Sequence, residues 1–176
     1  MNYTDFVTRK LTTMAPTGII GAINLPDGLF DFQQHLTSWC LRRGRAALFA
    51  DTGLGKSRME ATWASRVNAV VDYVLMLAPL AVAAQTVREA AKIGVIVRHV
   101  RSGSEITGPG IYITNYDRLH LFDAGMFGGV VLDESSCIKH HGSSTFNALC
   151  TAFAHCSFRL AATATPAPND WTELGT

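Results

Sequence analysis

The chain has 176 residues, 48% hydrophobic and 16% charged, with 15 Lys+Arg against 14 Asp+Glu and a formal net charge of +1. Such a length suits one compact domain, or one domain with a short extension, and the apolar share supports a buried core and excludes wholesale disorder. The near-neutral balance excludes the global basic character that announces a nucleic-acid binder by itself, so any such contact has to come from a local patch.

Residues 1–28 precede the regular pattern and read as an N-terminal extension. Their only apolar run, Gly18 to Leu25, is too short to span a membrane or to form a signal peptide. The four cysteines, Cys40, Cys137, Cys150 and Cys156, form no CxxC pair, which favours reduced thiols and a cytoplasmic protein without a membrane partner. Cys137 and His140 have a ligand-like spacing, but no second pair follows at zinc-site distance, so a loop cysteine beside a surface histidine is the preferred reading.

The first strand is expected at Ala46 to Phe49, ending in the glycine-bearing turn Asp51 to Gly55. From Lys56 the period changes to that of a helix, with Met59, Trp63, Val67 and Val70 on one face. Tyr73 to Ala78 is a continuous apolar run of strand length, closed by Pro79. The helix that follows carries Ala83, Val87 and Ala90 on its dry side, Gln85, Arg88, Glu89 and Lys92 on its wet side, and Gly94 as its stop. Further strands are expected at Val95 to Val100, Ile111 to Thr114, Val130 to Leu132 and Arg159 to Ala162. The loop Arg101 to Gly110, with three glycines and a proline, is the stretch expected to be most mobile. Continuous apolar strands interleaved with helices argue for an α/β fold whose mostly parallel sheet is covered on both faces.

Three segments carry chemistry. Ala50-Asp51-Thr52-Gly53-Leu54-Gly55-Lys56-Ser57 is a strand feeding a glycine-rich turn that opens a helix, which offers backbone N–H groups and the positive helix end to a polyphosphate. Lys56 would reach the β/γ-phosphates and Ser57 would ligate Mg²⁺, with Thr52, Gly53, Leu54 and Gly55 lining the phosphates. Position 50 is Ala where the general phosphate-loop pattern has Gly. In the second segment, Val130-Val131-Leu132 runs into Asp133-Glu134, placing two carboxylates at the sheet edge the phosphate loop occupies. Asp133 would hold Mg²⁺ and Glu134 would orient and polarise an attacking water. Solvated acids at an ordinary strand end are the alternative for this pair taken alone. The third segment, Arg159-Leu160-Ala161-Ala162-Thr163-Ala164-Thr165-Pro166, empties a buried strand into hydroxyls that can link the acids to another surface; taken alone, a simple strand stop suits it better.

In chain order, Phe32-Gln33, AxTGxGKS, LAPLAV, ITNY, LDES and TATP resemble the first RecA-like lobe of superfamily 2 DEAD/DEAH-type helicases and Swi/Snf-like translocases. The resemblance is strongest to the bacteriophage and prophage type, whose YxxFxxRK-like opening matches Tyr3, Phe6, Arg9 and Lys10. It implies a RecA-like P-loop NTPase three-layer sandwich over residues 29–170, with 171–176 as the start of a linker. It also implies ATP and Mg²⁺ as ligands, nucleic acid (DNA more than RNA) as partner, and ATP hydrolysis within a helicase or translocase. Position by position, Lys56, Ser57, Asp133 and Glu134 match the ATP and Mg²⁺ residues, with Lys56 and Glu134 catalytic, and Gln33 matches the glutamine that reads adenine. Thr163 and Thr165 match the motif coupling hydrolysis to nucleic-acid grip. Pro79, Thr114, Asn115 and Tyr116 match segments along the tracked strand's phosphates. For Gln33 the competing reading is one of two adjacent surface glutamines on a helix; for Tyr116 it is a half-buried strand-end aromatic.

Ser135-Ser136 stand where the best-known boxes have Ala-Asp or Ala-His, so the link from the acids to Thr163 is expected to run through different hydrogen bonds. The chain ends at Thr176, and the expectation is that a second RecA-like lobe, in cis or in trans, supplies the arginine finger. Such fingers contribute about 10³ to 10⁵ in rate, so the chain alone is expected to hydrolyse ATP poorly. Among local cations, Arg42, Arg43 and Arg45 read as a solvated cluster on the far edge, whereas Arg101 and Lys139 are better placed to touch phosphates. Two other functions stay open: a non-catalytic nucleotide-binding or interaction module derived from a helicase, and a small P-loop kinase. The kinase reading lacks an arginine-rich lid and leaves Gln33 and TATP unexplained together.

Overall fold

A computed structural model of the chain describes residues 16–138 and 144–166. Helix α1 (Asp31–Arg43) leads into β1 (Arg45–Phe49), α2 (Lys56–Asn68), β2 (Tyr73–Ala78), α3 (Leu80–Lys92), β3 (Val97–His99), β4 (Gly110–Asn115), β5 (Gly129–Leu132), α4 (Ser144–Ala152) and β6 (Phe158–Thr163). The six strands form one sheet in the order β1-β6-β5-β2-β4-β3, and every described pairing is parallel.

The central strand β2 shows why its run is apolar throughout. Val74, Met76 and Ala78 point into a core shared with α1, α2 and α3, whereas Leu75 and Leu77 point into a second core with Tyr112, Phe127, Leu149 and Phe153. Alternate side chains of a strand leave opposite faces, so a strand covered on both sides needs no polar positions. The sheet is therefore the middle of three layers.

The helical period of α2 holds for Met59, Trp63 and Val67, all buried, but Val70 lies past the helix end and is 56% exposed. The helix stops at Asn68, whose side-chain amide donates to the carbonyls of Val71 and Asp72 at 3.1 and 2.9 Å and turns the chain into β2. In α3 the dry side carries buried Ala83, Thr86 and Ala90. Strand β3 is shorter than its apolar run: Ile96 is 75% exposed and only Val97 to His99 pair with β4. The loop after β3 contains a short helical turn, Gly103–Glu105, held by the Arg101 N–H donating to Glu105 Oε2 at 3.2 Å. Hydrogen-bonded structure thus stands where glycine content predicted the most mobile loop.

Candidate phosphate-binding cleft and adjoining groove

Three neighbouring strands deliver the three motifs to one edge of the sheet. β6 lies between β1 and β5, with Phe49 level with Thr163 and Leu132 level with Ala161. The turn after β1, the acids after β5 and the hydroxyls ending β6 therefore sit side by side at the strands' carboxyl ends, where open α/β sheets place ligands.

The turn is built by local bonds. Ala50 N–H donates to Thr163 O at 3.2 Å, which continues the strand ladder one residue past β1; position 50 is buried and serves as strand. Asp51 Oδ1 accepts from Thr52 N–H at 2.6 Å, and Leu54 N–H donates to Asp51 O at 3.2 Å. Gly53 and Gly55 adopt φ of +87° and +76°, values that favour glycine. At Gly55 a Cβ would also run into the amide nitrogen of Gln33. Gln33 is 3% exposed and is not a surface residue, unlike its neighbour Gln34. Its Nε2 donates to Leu54 O at 2.9 Å and its Oε1 accepts from Phe30 N–H at 3.0 Å, so it braces the loop from behind.

A cleft of about 360 Å³ opens in front of the loop, lined by Asp51, Lys56, Ser57, Asp133 and Glu134 and walled by Val82, Gln85 and Glu89 of α3. Lys56 Nζ donates to Glu134 Oε1 at 2.6 Å, and Thr163 Oγ1 donates to Glu134 Oε2 at 3.4 Å. Thr165 N–H in turn donates to Thr163 Oγ1 at 3.1 Å. Among the described residues the link from acids to hydroxyls thus passes through Glu134 itself rather than through Ser135 or Ser136. Glu134 holds this position at φ +50°, the one described non-glycine residue with positive φ. Such a conformation costs about 1–3 kcal/mol and persists where surrounding structure enforces it.

Asp133 is 1% exposed, and its N–H donates to Leu77 O at 2.8 Å. Its Oδ2 is buried without a partner. Burial pushes its carboxyl above the ordinary range, against the pull of the Lys56 charge. Behind it stands Glu60 of α2, fully buried, with neither carboxylate oxygen partnered. Burial first and the Asp133 charge second hold the Glu60 carboxyl well above its usual range. Two carboxylates are both acceptors when ionised, so no hydrogen bond joins them without a proton.

Among the described residues no three His, Cys, Asp or Glu side chains are arranged to hold a metal ion. The residues nevertheless fit Mg²⁺, which binds through one or two protein oxygens and takes its other ligands from phosphates and water. Ser57 and Asp133 line one cleft, and the partnerless Asp133 Oδ2 is the kind of atom a cation would satisfy.

A second hollow of about 350 Å³ lies further along the same edge, lined by Pro79, Leu80, Asn115, Tyr116, Asp117, Cys137, Ile138 and Thr145. Pro79, Asn115 and Tyr116 are thus brought together, but Thr114 is fully buried. Arg101 is exposed and does not line this groove, its carbonyl accepting from Arg118 Nη1 at 3.4 Å. Lys139 lies outside the described residues, as do Tyr3, Phe6, Arg9, Lys10 and His140. The Tyr116 hydroxyl donates to Asp133 O at 2.7 Å, and burial pushes its phenol well above the ordinary range. On the far edge Arg43 lies over the Trp39 ring at 5.8 Å, and Arg45 Nη2 reaches Cys156 O at 3.5 Å.

Sequence reasoning missed Arg58 and Glu89 as parts of the cleft, and Glu60 buried behind it. Glu60 left a signal, an ionisable residue one helical turn after Lys56 and adjacent to the apolar stripe of α2. Arg58 and Glu89 left none, because their meeting depends on how α2 packs on α3.

No family model and no curated protein matches the sequence significantly. Solved structures do. The UvsW helicase from bacteriophage T4 superposes with a TM-score of 0.67 at 14% identity, covering 99% of this chain and 64% of that one. A Sulfolobus solfataricus SWI2/SNF2 ATPase core in complex with dsDNA gives 0.67 at 23% identity, covering 88% and 36%. A nuclease-deletion mutant of the Type ISP restriction-modification enzyme LlaGI, in complex with a DNA substrate mimic, gives 0.60 at 16% identity, covering 80% and 18%. This chain therefore spans less than two thirds of each. The likeness establishes the fold: a three-layer α/β sandwich with a parallel central sheet, as in RecA-like helicase lobes.

Proposed function

We propose that the chain is the ATP-binding lobe of a nucleic-acid-dependent ATPase, a helicase or translocase of the bacteriophage type acting on DNA in the cytoplasm. In this reading residues 29–170 form the lobe, 1–28 an extension and 171–176 the start of a linker. The observation that carries it is the Lys56–Glu134 pair at 2.6 Å beside the partnerless Asp133 Oδ2, in a cleft floored by a glycine turn. A carboxylate poised on a lysine, next to a second carboxylate with an unused oxygen, suits phosphoryl chemistry better than storage of a solvated charge.

Incoming phosphates compete with Glu134 for Lys56. Once Lys56 turns to them, Glu134 is free to accept a proton from an attacking water, and its other oxygen remains bonded to Thr163. Mg²⁺ held by Ser57 and Asp133 would neutralise charge on the phosphate oxygens. Thr163 and Thr165 then register the state of Glu134 at the end of β6. Gln33 as placed braces the loop, and reading adenine would call on the second amide hydrogen and second oxygen lone pair that the brace leaves over. Pro79, Asn115 and Tyr116 contribute one wall of a groove for nucleic acid, and a second RecA-like lobe supplies the other wall and the missing arginine.

The test is calorimetric titration of the chain with ATP and Mg²⁺, followed by steady-state ATPase assays with DNA or RNA, with and without a candidate second lobe. Saturable, Mg²⁺-dependent binding abolished by Lys56→Ala, with turnover appearing only on addition of the lobe, is expected. Absence of nucleotide binding would sink the reading. Robust DNA-stimulated turnover by the chain alone would sink the need for a second lobe.

A further inference from the structure

The lining of the phosphate-binding cleft carries more acid than cation. Asp51, Glu89, Asp133 and Glu134 face it, against Lys56 and Arg58. Lys56 is already engaged by Glu134. A nucleoside triphosphate brings about three to four further negative charges, so the remaining cation matters to whether the cleft accepts it.

Arg58 follows Ser57 in the first turn of α2 and is half-buried. Its Nε meets Glu89 Oε2 at 3.4 Å, a long single contact, and its two Nη groups make no described contact. The guanidinium fork, the part suited to bidentate binding of phosphate, is thus uncommitted on the wall of the cleft. Glu89 does not depend on Arg58 for neutralisation. Its other oxygen accepts from Lys92 Nζ at 2.5 Å, and Lys92 is the first cause holding the Glu89 carboxyl below its ordinary range. Arg58 can leave without stranding a buried charge, since Glu89 and Lys92 remain paired at the surface.

We propose that Arg58 is a second phosphate-binding cation of this cleft, held off the ligand by Glu89 and released from it when nucleotide polyphosphate enters. The proposal rests on the nucleotide-binding reading and deepens it. Glu89 is then a gate on affinity: it lowers the cleft's attraction for phosphate by competing for the fork.

The test is a double-mutant cycle on the full chain, using a fluorescent methylanthraniloyl-ATP with Mg²⁺ at fixed ionic strength. Arg58→Ala is expected to weaken binding about tenfold, the scale of a lost charge-assisted bidentate contact. Arg58→Lys, which keeps the charge but not the fork, is expected to fall between. Glu89→Gln is expected to tighten binding severalfold, and most of that gain is expected to vanish in the Arg58→Ala background, the remainder being the repulsion relieved by one acid fewer in the lining. Thermal melts of each variant establish that it is folded. Binding within twofold of wild type in Arg58→Ala, or a Glu89→Gln gain of undiminished size without Arg58, would overturn the proposal while leaving the nucleotide reading intact. No saturable binding by the wild-type chain, with Lys56→Ala indistinguishable from it, would overturn both.

Discussion

Two hollows of nearly equal volume lie along one sheet edge and differ in chemistry. The cleft before the phosphate loop is dense with charge, and much of that charge is bonded internally, Lys56 to Glu134 and Arg58 to Glu89. Among the described residues, the lining of the groove beyond β2 and β4 has one acidic side chain, Asp117, among proline, leucine, asparagine and tyrosine. The lining of the cleft suits a polyphosphate, whereas the described lining of the groove offers shape without a cation. Since nucleic-acid affinity comes largely from neutralised phosphates, the proposed function predicts that a lobe with this described lining holds a strand weakly and depends on a second wall for grip.

The largest expected break is on the cleft side. Lys56→Ala removes the cation facing the phosphates and should lower Mg²⁺-nucleotide affinity by about 100-fold or more, on the scale of a lost buried charged contact. Any binding of DNA by the groove, as the proposed function expects, should stay within about twofold, which parallel calorimetric and fluorescence-anisotropy titrations would reveal. Asp133→Asn comes next: it should remove most of the Mg²⁺ dependence of nucleotide binding, an effect of about tenfold or more, seen by titration with and without chelator.

Tyr116 joins the two regions, so Tyr116→Phe tests whether they are mechanically linked. Losing the hydroxyl leaves Asp133 O without that donor. The buried bond is worth about 1 kcal/mol, or a Tm lower by roughly 2–4 °C for a chain of this size, with groove residues otherwise in place. An unchanged melting curve would count against the link.

Glu60→Gln acts on the buried support behind the cleft, and in the opposite direction. Because burial and the Asp133 charge raise its pKa when folded, Glu60 binds its proton more tightly in the folded chain than in the unfolded one. Its ionisation therefore costs stability above the unfolded pKa, a cost that grows as pH rises toward the raised folded value and disappears at or below the ordinary carboxylate range. The amide should raise Tm at neutral pH by roughly 2–4 °C per 1 kcal/mol relieved, and the gain should shrink as the melt is moved toward pH 4 to 5. A gain independent of pH would reject the charge argument. The smallest effect belongs to the exposed Arg101: if it touches phosphate, Arg101→Ala should reduce the salt slope of DNA binding by about one.

Much of the fold could be read in the sequence because parallel strands buried on both faces need unbroken apolar runs, and Tyr73 to Ala78 is such a run. The misreadings share a cause. Val70 and Ile96 extend an apolar pattern past the point where backbone hydrogen bonding stops, and side-chain character alone does not mark that point. The phosphate turn and the Asp133-Glu134 step were visible because their signals are local: a glycine pattern, a strand ending in acids. Glu60 against Asp133 and Arg58 against Glu89 were not, since each pairing spans elements brought together only by packing. Gln33 shows an intermediate case. Its place before the loop was legible, its burial beneath Gly55 was not.

The left-handed turn at Glu134 has one more consequence, for how this chain would change under selection. Glycine occupies φ +50° without strain, so Glu134→Gly should relax the backbone, although it also raises the entropy of the unfolded chain and abandons Lys56. A sequence drifting free of chemical demand would find that exchange, or a milder Asn, easier to tolerate than a β-carbon held against its preference. On the proposed function, the glutamate found there is a trade in which conformational comfort is given up for a carboxylate beside Lys56.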